Sequence, residues 1–213
     1  MLLSNFHPFV ATEVIGCPYP TLDQALLLTA IEFCRETKAW TESQDPIILI
    51  EGVNEYEIDV PTGAYVQTVR DVWIGSHRLQ PVTMSGLQNA MPDWLSAKGS
   101  EPSYYNMAGE LPLLRVYPTP TAVTGQAMVV RASYVPTMSA TSLPDFLGQR
   151  HLDAIASGAK ARLMAMPGVP WTNTELSIYY RANFDKAILN TRIEEAHDRV
   201  PGTIRVQPRA FGF

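Results

Sequence analysis

Between Ser142 and Arg199 apolar residues recur at intervals of three and four on both sides of a Met-Pro-Gly-Val-Pro-Trp turn, which predicts two helices folded back on each other. Leu152, Ile155, Ala156, Ala159, Leu163 and Met166 share one stripe of the first helix. Ser142 is placed to cap it, Pro144 sits where a first-turn N–H has no partner anyway, Asp145 suits the positive end of the dipole, and Pro167 ends it. For the second helix, Thr172 with Glu175 makes a capping-box pattern. Leu176, Tyr179, Tyr180, Phe184, Ala187, Ile188 and Thr191 follow on one face, and the two faces are expected to meet as a core without chemistry.

Residues 1 to 20 read as irregular because prolines stand at 8, 18 and 20. Thr21 and Gln24 form another capping-box pattern, so a helix is predicted over 21–40 with Leu22, Leu26, Thr29, Ala30 and Phe33 inward and Leu27 and Cys34 widening the stripe. So broad an arc asks for a second neighbour beyond the hairpin, and a neighbouring subunit is one source. From Asp45 the period becomes two. Strands are predicted at Ile47–Glu51, through Tyr56, Ile58 and Val60, and at Val66–Ile74, with a turn at Gly75–His77 and a return strand Arg78–Val82 whose Pro81 marks an edge. A short helix is expected within Thr83–Trp94. A hairpin follows from Tyr104-Tyr105 through an Asn106–Gly109 turn to Leu113–Tyr117, then a last strand Gln126–Tyr134.

This pattern predicts an α+β chain: a helical bundle of the N-terminal helix and the C-terminal hairpin, an inserted mainly antiparallel β domain, and an extended C-terminal arm. The expected divisions are 1–44, 45–138, 139–199 and 200–213. The arm cannot be helical across Pro201-Gly202 and Pro208, and about thirteen extended residues reach roughly 40 Å. Ile204, Val206, Phe211 and Phe213 are apolar anchors, and Arg205 and Arg209 have no acid between them. These six residues pack on their own subunit or dock on a partner, and the sequence pattern leaves both open.

Composition adds little to this picture. The chain of 213 residues is 46% hydrophobic and 17% charged, ordinary for a soluble protein. Its net charge of −5 is uneven, since residues 1–141 hold seven Lys or Arg against fourteen Asp or Glu, and residues 142–213 hold nine against seven. No dense basic patch appears, so sequence-specific nucleic-acid binding is not expected, and an acidic surface would repel DNA. Cys17 and Cys34 are too few for a disulfide scaffold and are expected to be buried thiols. The N-terminal Met-Leu-Leu lacks a basic leader, so neither a signal peptide nor a membrane span is expected.

The search for catalytic chemistry yields nothing that calls for a cofactor or metal. His7, His77, His151 and His197 lie at no metal-ligand spacing from one another or from a cysteine. His151 and Asp153 flank Leu152 and point apart on a helix, which predicts a surface or interface histidine. Glu194-Glu195 and Glu55/Glu57 read as solvated charge, and no phosphate loop or nucleophile elbow occurs. The tyrosines of the β region lack interleaved Arg and Lys, so they are expected in the sheet core rather than as a base-stacking platform.

Three stretches together resemble the head-to-tail adaptor (connector) proteins of tailed bacteriophages. Gly16-Cys-Pro before Thr21-Leu-Asp-Gln-Ala-Leu, with Ile31-Glu-Phe-Cys-Arg and Trp40, is similar to their N-terminal helix. Tyr104-Tyr-Asn with Leu114-Arg-Val-Tyr-Pro-Thr-Pro resembles their β region. Leu143-Pro-Asp-Phe-Leu, Ala154-Ile-Ala-Ser-Gly-Ala-Lys-Ala-Arg-Leu-Met, the Pro-Gly-Val-Pro-Trp turn and Tyr180-Arg-Ala-Asn-Phe resemble their closing hairpin. The resemblance implies a non-enzymatic virion protein at the neck: a homo-oligomeric ring, usually a dodecamer, between the portal protein and the tail or nozzle proteins. Genomic DNA would pass through it without sequence-specific binding, and the arm would fasten it to the portal. The uneven charge is also what a head-to-tail ring interface would use. The alternative from another class is a small-ligand or carbohydrate-binding β module on a helical support.

Overall fold

The structure, a computed structural model, describes residues 1–108, 112–121, 125 and 127–197. In chain order the elements are α1 (His7–Val10), α2 (Tyr19–Thr37), β1 (Thr41–Ser43), β2 (Ile47–Ile48), β3 (Glu55–Glu57), β4 (Ala64–Ile74), β5 (His77–Arg78), β6 (Gln80–Pro81) and α3 (Met84–Ala90). They continue with β7 (Lys98–Gly99), β8 (Tyr104–Ala108), β9 (Leu113–Tyr117), β10 (Thr119–Pro120), β11 (Ala127–Pro136), α4 (Asp145–Arg150), α5 (Leu152–Met164) and α6 (Thr174–Ala196). The chain is α+β and divides into two compact units: Met1–Leu3 with Trp40–Pro144, which holds the sheets, and Ser4–Ala39 with the residues from Asp145 onward, which is helical.

In the helical unit, α2, α5 and α6 pack against one another. The period of α2 is as expected, and Leu22, Leu26, Ala30, Phe33 and Cys34 are fully buried. Its start is not. The helix begins at Tyr19 with Pro18 as an uncapped N-cap, and the N–H of Thr21 donates to the Pro18 carbonyl at 3.0 Å, so Thr21 lies inside the first turn rather than capping it. Pro20 explains the difference, because a proline without an N–H fits the first turn of a helix. The helix ends at Thr37, where Lys38 turns into the left-handed region at φ 57° and its N–H closes on the Cys34 carbonyl at 2.8 Å. The broad apolar arc is already buried within this chain, Leu27 and Ile31 included, so it does not require the neighbouring subunit that its width suggested.

The first hairpin helix differs from its expected form. It is two helices, α4 and α5, interrupted at His151, whose φ of −123° is not helical. Ser142 does not cap it; that residue pairs with Leu2 in an isolated antiparallel bridge. Ile155, Ala156, Ala159 and Leu163 are buried as expected, and Ala154, Gly158, Ala161 and Met164 are buried as well, so α5 is enclosed over most of its circumference. Gly158 is the point of closest approach. A Cβ there would stand 2.4 Å from Cγ2 of Thr29 on α2 and 2.9 Å from Cδ2 of Phe184 on α6.

For α6 the cap is Asn173, one residue beyond Thr172, and its side chain accepts from the Leu176 N–H at 3.1 Å. Thr172 instead closes the turn by donating to the Val169 carbonyl at 2.8 Å. The inward face is Ser177, Phe184, Ile188, Thr191 and Glu195, while Leu176 and Tyr179, expected inside, are exposed. Ser177 tolerates burial because its hydroxyl donates to the Ala161 carbonyl of α5 at 2.8 Å.

In the β unit the long antiparallel pair β4–β11 is the spine, with β1 and β2 on the far side of β11 and β5 beside β4. Val72, Met128, Val130 and Ala132 are fully buried along it. A second sheet runs in the order β3-β9-β8-β6, and its Leu114, Val116 and Tyr117 are buried. The expected return strand after Ile74 divides: His77–Arg78 pairs back on β4, whereas Gln80–Pro81 crosses to the second sheet as a parallel edge strand beside β8. Asn106 to Ala108, expected in a turn, are strand residues paired with Leu113 to Arg115. The tyrosines hold the core: Tyr134 packs on Trp40 at 5.8 Å between centroids, and its hydroxyl accepts from Gln44 Nε2 at 2.9 Å and donates to the Asp59 carbonyl at 3.1 Å.

Gly158→Ala is a sharp check of this packing. In a free helix the change stabilises by about 1 kcal/mol, but here the methyl group meets Thr29 and Phe184. The expected result is a net loss of about 1–3 kcal/mol, read as a lowered urea midpoint. An unchanged or raised midpoint would mean that the three helices do not approach so closely.

Candidate interaction surfaces

The titratable residues form no catalytic constellation among the described residues. No group of three His, Cys, Asp or Glu is placed to hold a metal ion there. His7 stacks on Tyr19 at 5.0 Å and its Nε2 lies 2.6 Å from Asp23. His151 is half-buried, with its ring 4.9 Å from that of Phe33 and 6.1 Å from that of Phe146. It shares a polar cleft of about 470 Å³ with Arg150, Asp153 and Glu194. Cys34 is buried, and burial pushes its thiol up to about 12, which makes it a poor nucleophile. Cys17 is only half-buried, contrary to expectation, because it lies in the loop before α2.

Part of the charge asymmetry has an internal use. Three acids of the N-terminal segment pair with cations of the closing hairpin: Glu13 with Lys160 at 2.6 Å, Glu32 with Arg181 at 2.8 Å and with Arg162, and Glu36 with Arg192. Counted by unit, the helical part holds eleven basic and eleven acidic residues, and the β unit holds five against ten. The whole net charge of −5 therefore belongs to the β unit. The Glu13 carboxylate also accepts from the Tyr180 hydroxyl, and that bond pushes the Tyr180 pKa up to about 12.

What the helical unit leaves exposed is apolar. Ile178, Leu189 and Ile193 on α6 are 67%, 57% and 60% exposed. With Ala182 they recur at spacings of four, seven and four, one stripe on the side away from Phe184 and Ile188. Phe9, Ile15 and Tyr19, before and at the start of α2, form a second exposed apolar set. In the β unit a groove of about 390 Å³ lies between β4, the start of α3, and β8. The arm residues Ile204, Arg205, Val206, Arg209, Phe211 and Phe213 lie outside the described residues. The spacing of the α6 stripe is visible in the sequence, but α6 carries two apolar stripes and the one richer in aromatics reads as the inner one.

Burial raises the Glu32 carboxyl, but its bonds to Arg181 and Arg162 outweigh this and hold it below the ordinary carboxylate value. A carboxyl depressed in the folded state contributes stability that is present above its unfolded pKa and is lost as pH falls through the folded one. Glu32→Gln is therefore expected to cost about 1 kcal/mol at neutral pH and to approach the parent protein as pH drops below 4.5. Melting temperature against pH checks this, and a gap that stays constant into acid would remove the ion pairs from the account.

Residues 10–207 match the family model described as SU10 adaptor protein. No curated protein matches the chain. The match spans all three stretches that carried the resemblance to head-to-tail adaptors and agrees with it.

Proposed function

The chain belongs to the SU10 adaptor protein family, a phage structural adaptor, and from that premise we propose that its copies close into a ring, a dodecamer, at the neck between the portal protein and the tail or nozzle proteins. The genome passes through the ring without being read. In this reading the N-terminal helix and the closing hairpin form a bundle, residues 45–138 are its β insertion, and the arm 200–213 fastens the ring to the portal. Ile204, Arg205, Val206, Arg209, Phe211 and Phe213 are the partner-binding set, the aromatic pair at the tip supplying apolar anchors and the arginines meeting carboxylates.

The observation that carries the reading beyond the family is the outer stripe of α6. Three large aliphatic side chains on one regular helix face are left in water by a protein that buries the opposite face completely at Phe184. A head-to-tail ring contact joins two unlike patches, and the helical unit has a second apolar set in Phe9, Ile15 and Tyr19. The net acidity of the β unit supports passage of DNA rather than adhesion, since like charge does not retain a polyanion.

Introducing Leu189→Asp with Ile193→Asp is expected to abolish rings in negative-stain images and to return a monomeric mass, with circular dichroism and melting temperature unchanged because neither side chain is in the core. Rings that persist in this variant would exclude the stripe as the contact between copies. For the arm, Phe211→Ala with Phe213→Ala should weaken attachment to portal-bearing heads at least tenfold without altering the fold. Normal attachment would mean that the tip does not meet the portal.

A further inference from the structure

The most exposed large apolar side chain among the described residues is Leu95, at 81%. It stands at the tip of the loop that follows α3, and hydrogen bonds fix that tip. The Trp94 N–H donates to the Met91 carbonyl at 3.0 Å, and those of Ser96 and Ala97 donate to the Asp93 carbonyl at 2.9 Å. Trp94 packs edge-on against the buried Tyr117 at 5.8 Å, and the Thr119 N–H closes on the Ala97 carbonyl at 3.0 Å. Between these bonds the N–H of Leu95 donates to no acceptor among the described residues. A single exposed leucine is ordinary on a protein surface. One held on a closed turn, with its own N–H left over, is a knob that offers one apolar group and one donor.

The groove at the other end of α3 offers the complement. Val69, Pro81, Val82, Met84 and Met107 supply apolar walls, and no lining residue is charged. Asn106 lines it too; the residue is 8% exposed, and its Oδ1 is buried without a hydrogen-bond partner among the described residues. Its Nδ2 donates to the Met84 sulfur at 2.9 Å, so the amide is oriented with its acceptor unused, an arrangement that a donor from outside would relieve. Met84 is 39% exposed, and its unbranched side chain moves aside readily to open the way to that oxygen. On the same side β8 pairs with β6 only at Tyr104 and Tyr105, which leaves Met107, 38% exposed, at the rim.

We propose that Leu95 of one copy seats in this groove on the next, its side chain against Val82, Met84 and Met107 and its N–H donating to Asn106 Oδ1. Leu95 does not line its own chain's groove, and the two features lie beyond opposite ends of α3, a helix of seven residues and so about 10 Å long. Two unlike patches on one subunit make a head-to-tail contact. The β units are acidic and repel one another, but this contact spares them: the lining is uncharged, and Asp93 is the only charge in residues 92–96. The proposal rests on the ring reading for its head-to-tail sense and adds a contact between β units to the α6 stripe.

Cysteine pairing between copies tests it on the full-length chain. Chains carrying Leu95→Cys are mixed with chains carrying Met107→Cys and oxidised. A covalent dimer is expected to form at least tenfold faster than in either variant alone, or than when Ile48→Cys, also exposed on the β unit, takes the place of Leu95→Cys. Equal rates in these samples would overturn the proposal. The chain carrying both Leu95→Cys and Met107→Cys separates the contact from the ring. A ladder of covalent dimers, trimers and longer products upholds the head-to-tail contact, whereas a product that stops at the dimer upholds the seating and takes it out of the ring. Absence of the dimer in a mixture that still forms rings in negative stain overturns the seating and leaves the ring reading standing.

Discussion

Three helices from opposite ends of the sequence meet at Gly158, and the helical unit depends on that contact. With no side chain at this position, α5 lies against Thr29 of α2 and Phe184 of α6 closely enough to exclude a methyl group. Phe184, Phe33 and Ile155 are fully buried around it. Such close approach concentrates dispersion contacts, and it also makes the site intolerant of added volume. A sequence reader treats glycine inside a helix as a weakness of about 1 kcal/mol. Here the same residue is what allows the N-terminal helix to be gripped by the hairpin.

Around that contact, electrostatics fixes which helix goes where. Glu13, Glu32 and Glu36 each find a cation on α5 or α6, and Arg181 holds both Glu32 and Asp185, at 2.8 and 2.9 Å. Individually these half-exposed pairs contribute little. Together, Glu13 in the loop after α1 and Glu32 and Glu36 on α2 favour the observed docking of the hairpin over one that separates these pairs. The +2 of the closing hairpin and arm is thus balanced inside the helical unit by the −2 of its N-terminal segment, and the −5 that remains belongs to the sheets.

Periodicity revealed the elements, and local chemistry misplaced some of their ends. Leu22, Leu26, Ala30 and Phe33 were legible because a single apolar stripe has one interpretation. The starts of α2 and α6 were not, since Thr21 and Thr172 fit capping-box patterns while Pro20 and Asn173 fit the backbone better. On α6 two stripes compete, and only tertiary packing decides that a face with Ser177 and Glu195 goes inside while Ile178, Leu189 and Ile193 stay out. Asn106 illustrates the same limit in the sheets: Asn-Met-Ala-Gly has the composition of a turn, but pairing with β9 holds its first three residues as strand. The candidate site suffered most, because exposed apolar stripes and open edges are properties of packing that no residue type announces.

The magnitude of the α6 stripe bears on how a ring would form. Fully burying a Leu or Ile contributes about 1.5–3 kcal/mol, and these three side chains are already partly covered, so the stripe supplies about 3–6 kcal/mol if a neighbour covers it completely. Bringing two subunits together costs about 4–15 kcal/mol in lost rotational and translational freedom. The stripe therefore roughly offsets the cost of one contact and leaves no surplus to hold an isolated pair. Closure changes this balance, because the last subunit added to a ring makes two contacts for one loss of freedom. A template changes it further, by holding the first subunits in register before closure. On the ring reading, a stripe of this size is accordingly too weak to hold an isolated pair and sufficient once the ring closes, with the separate arm adding to the hold on a partner.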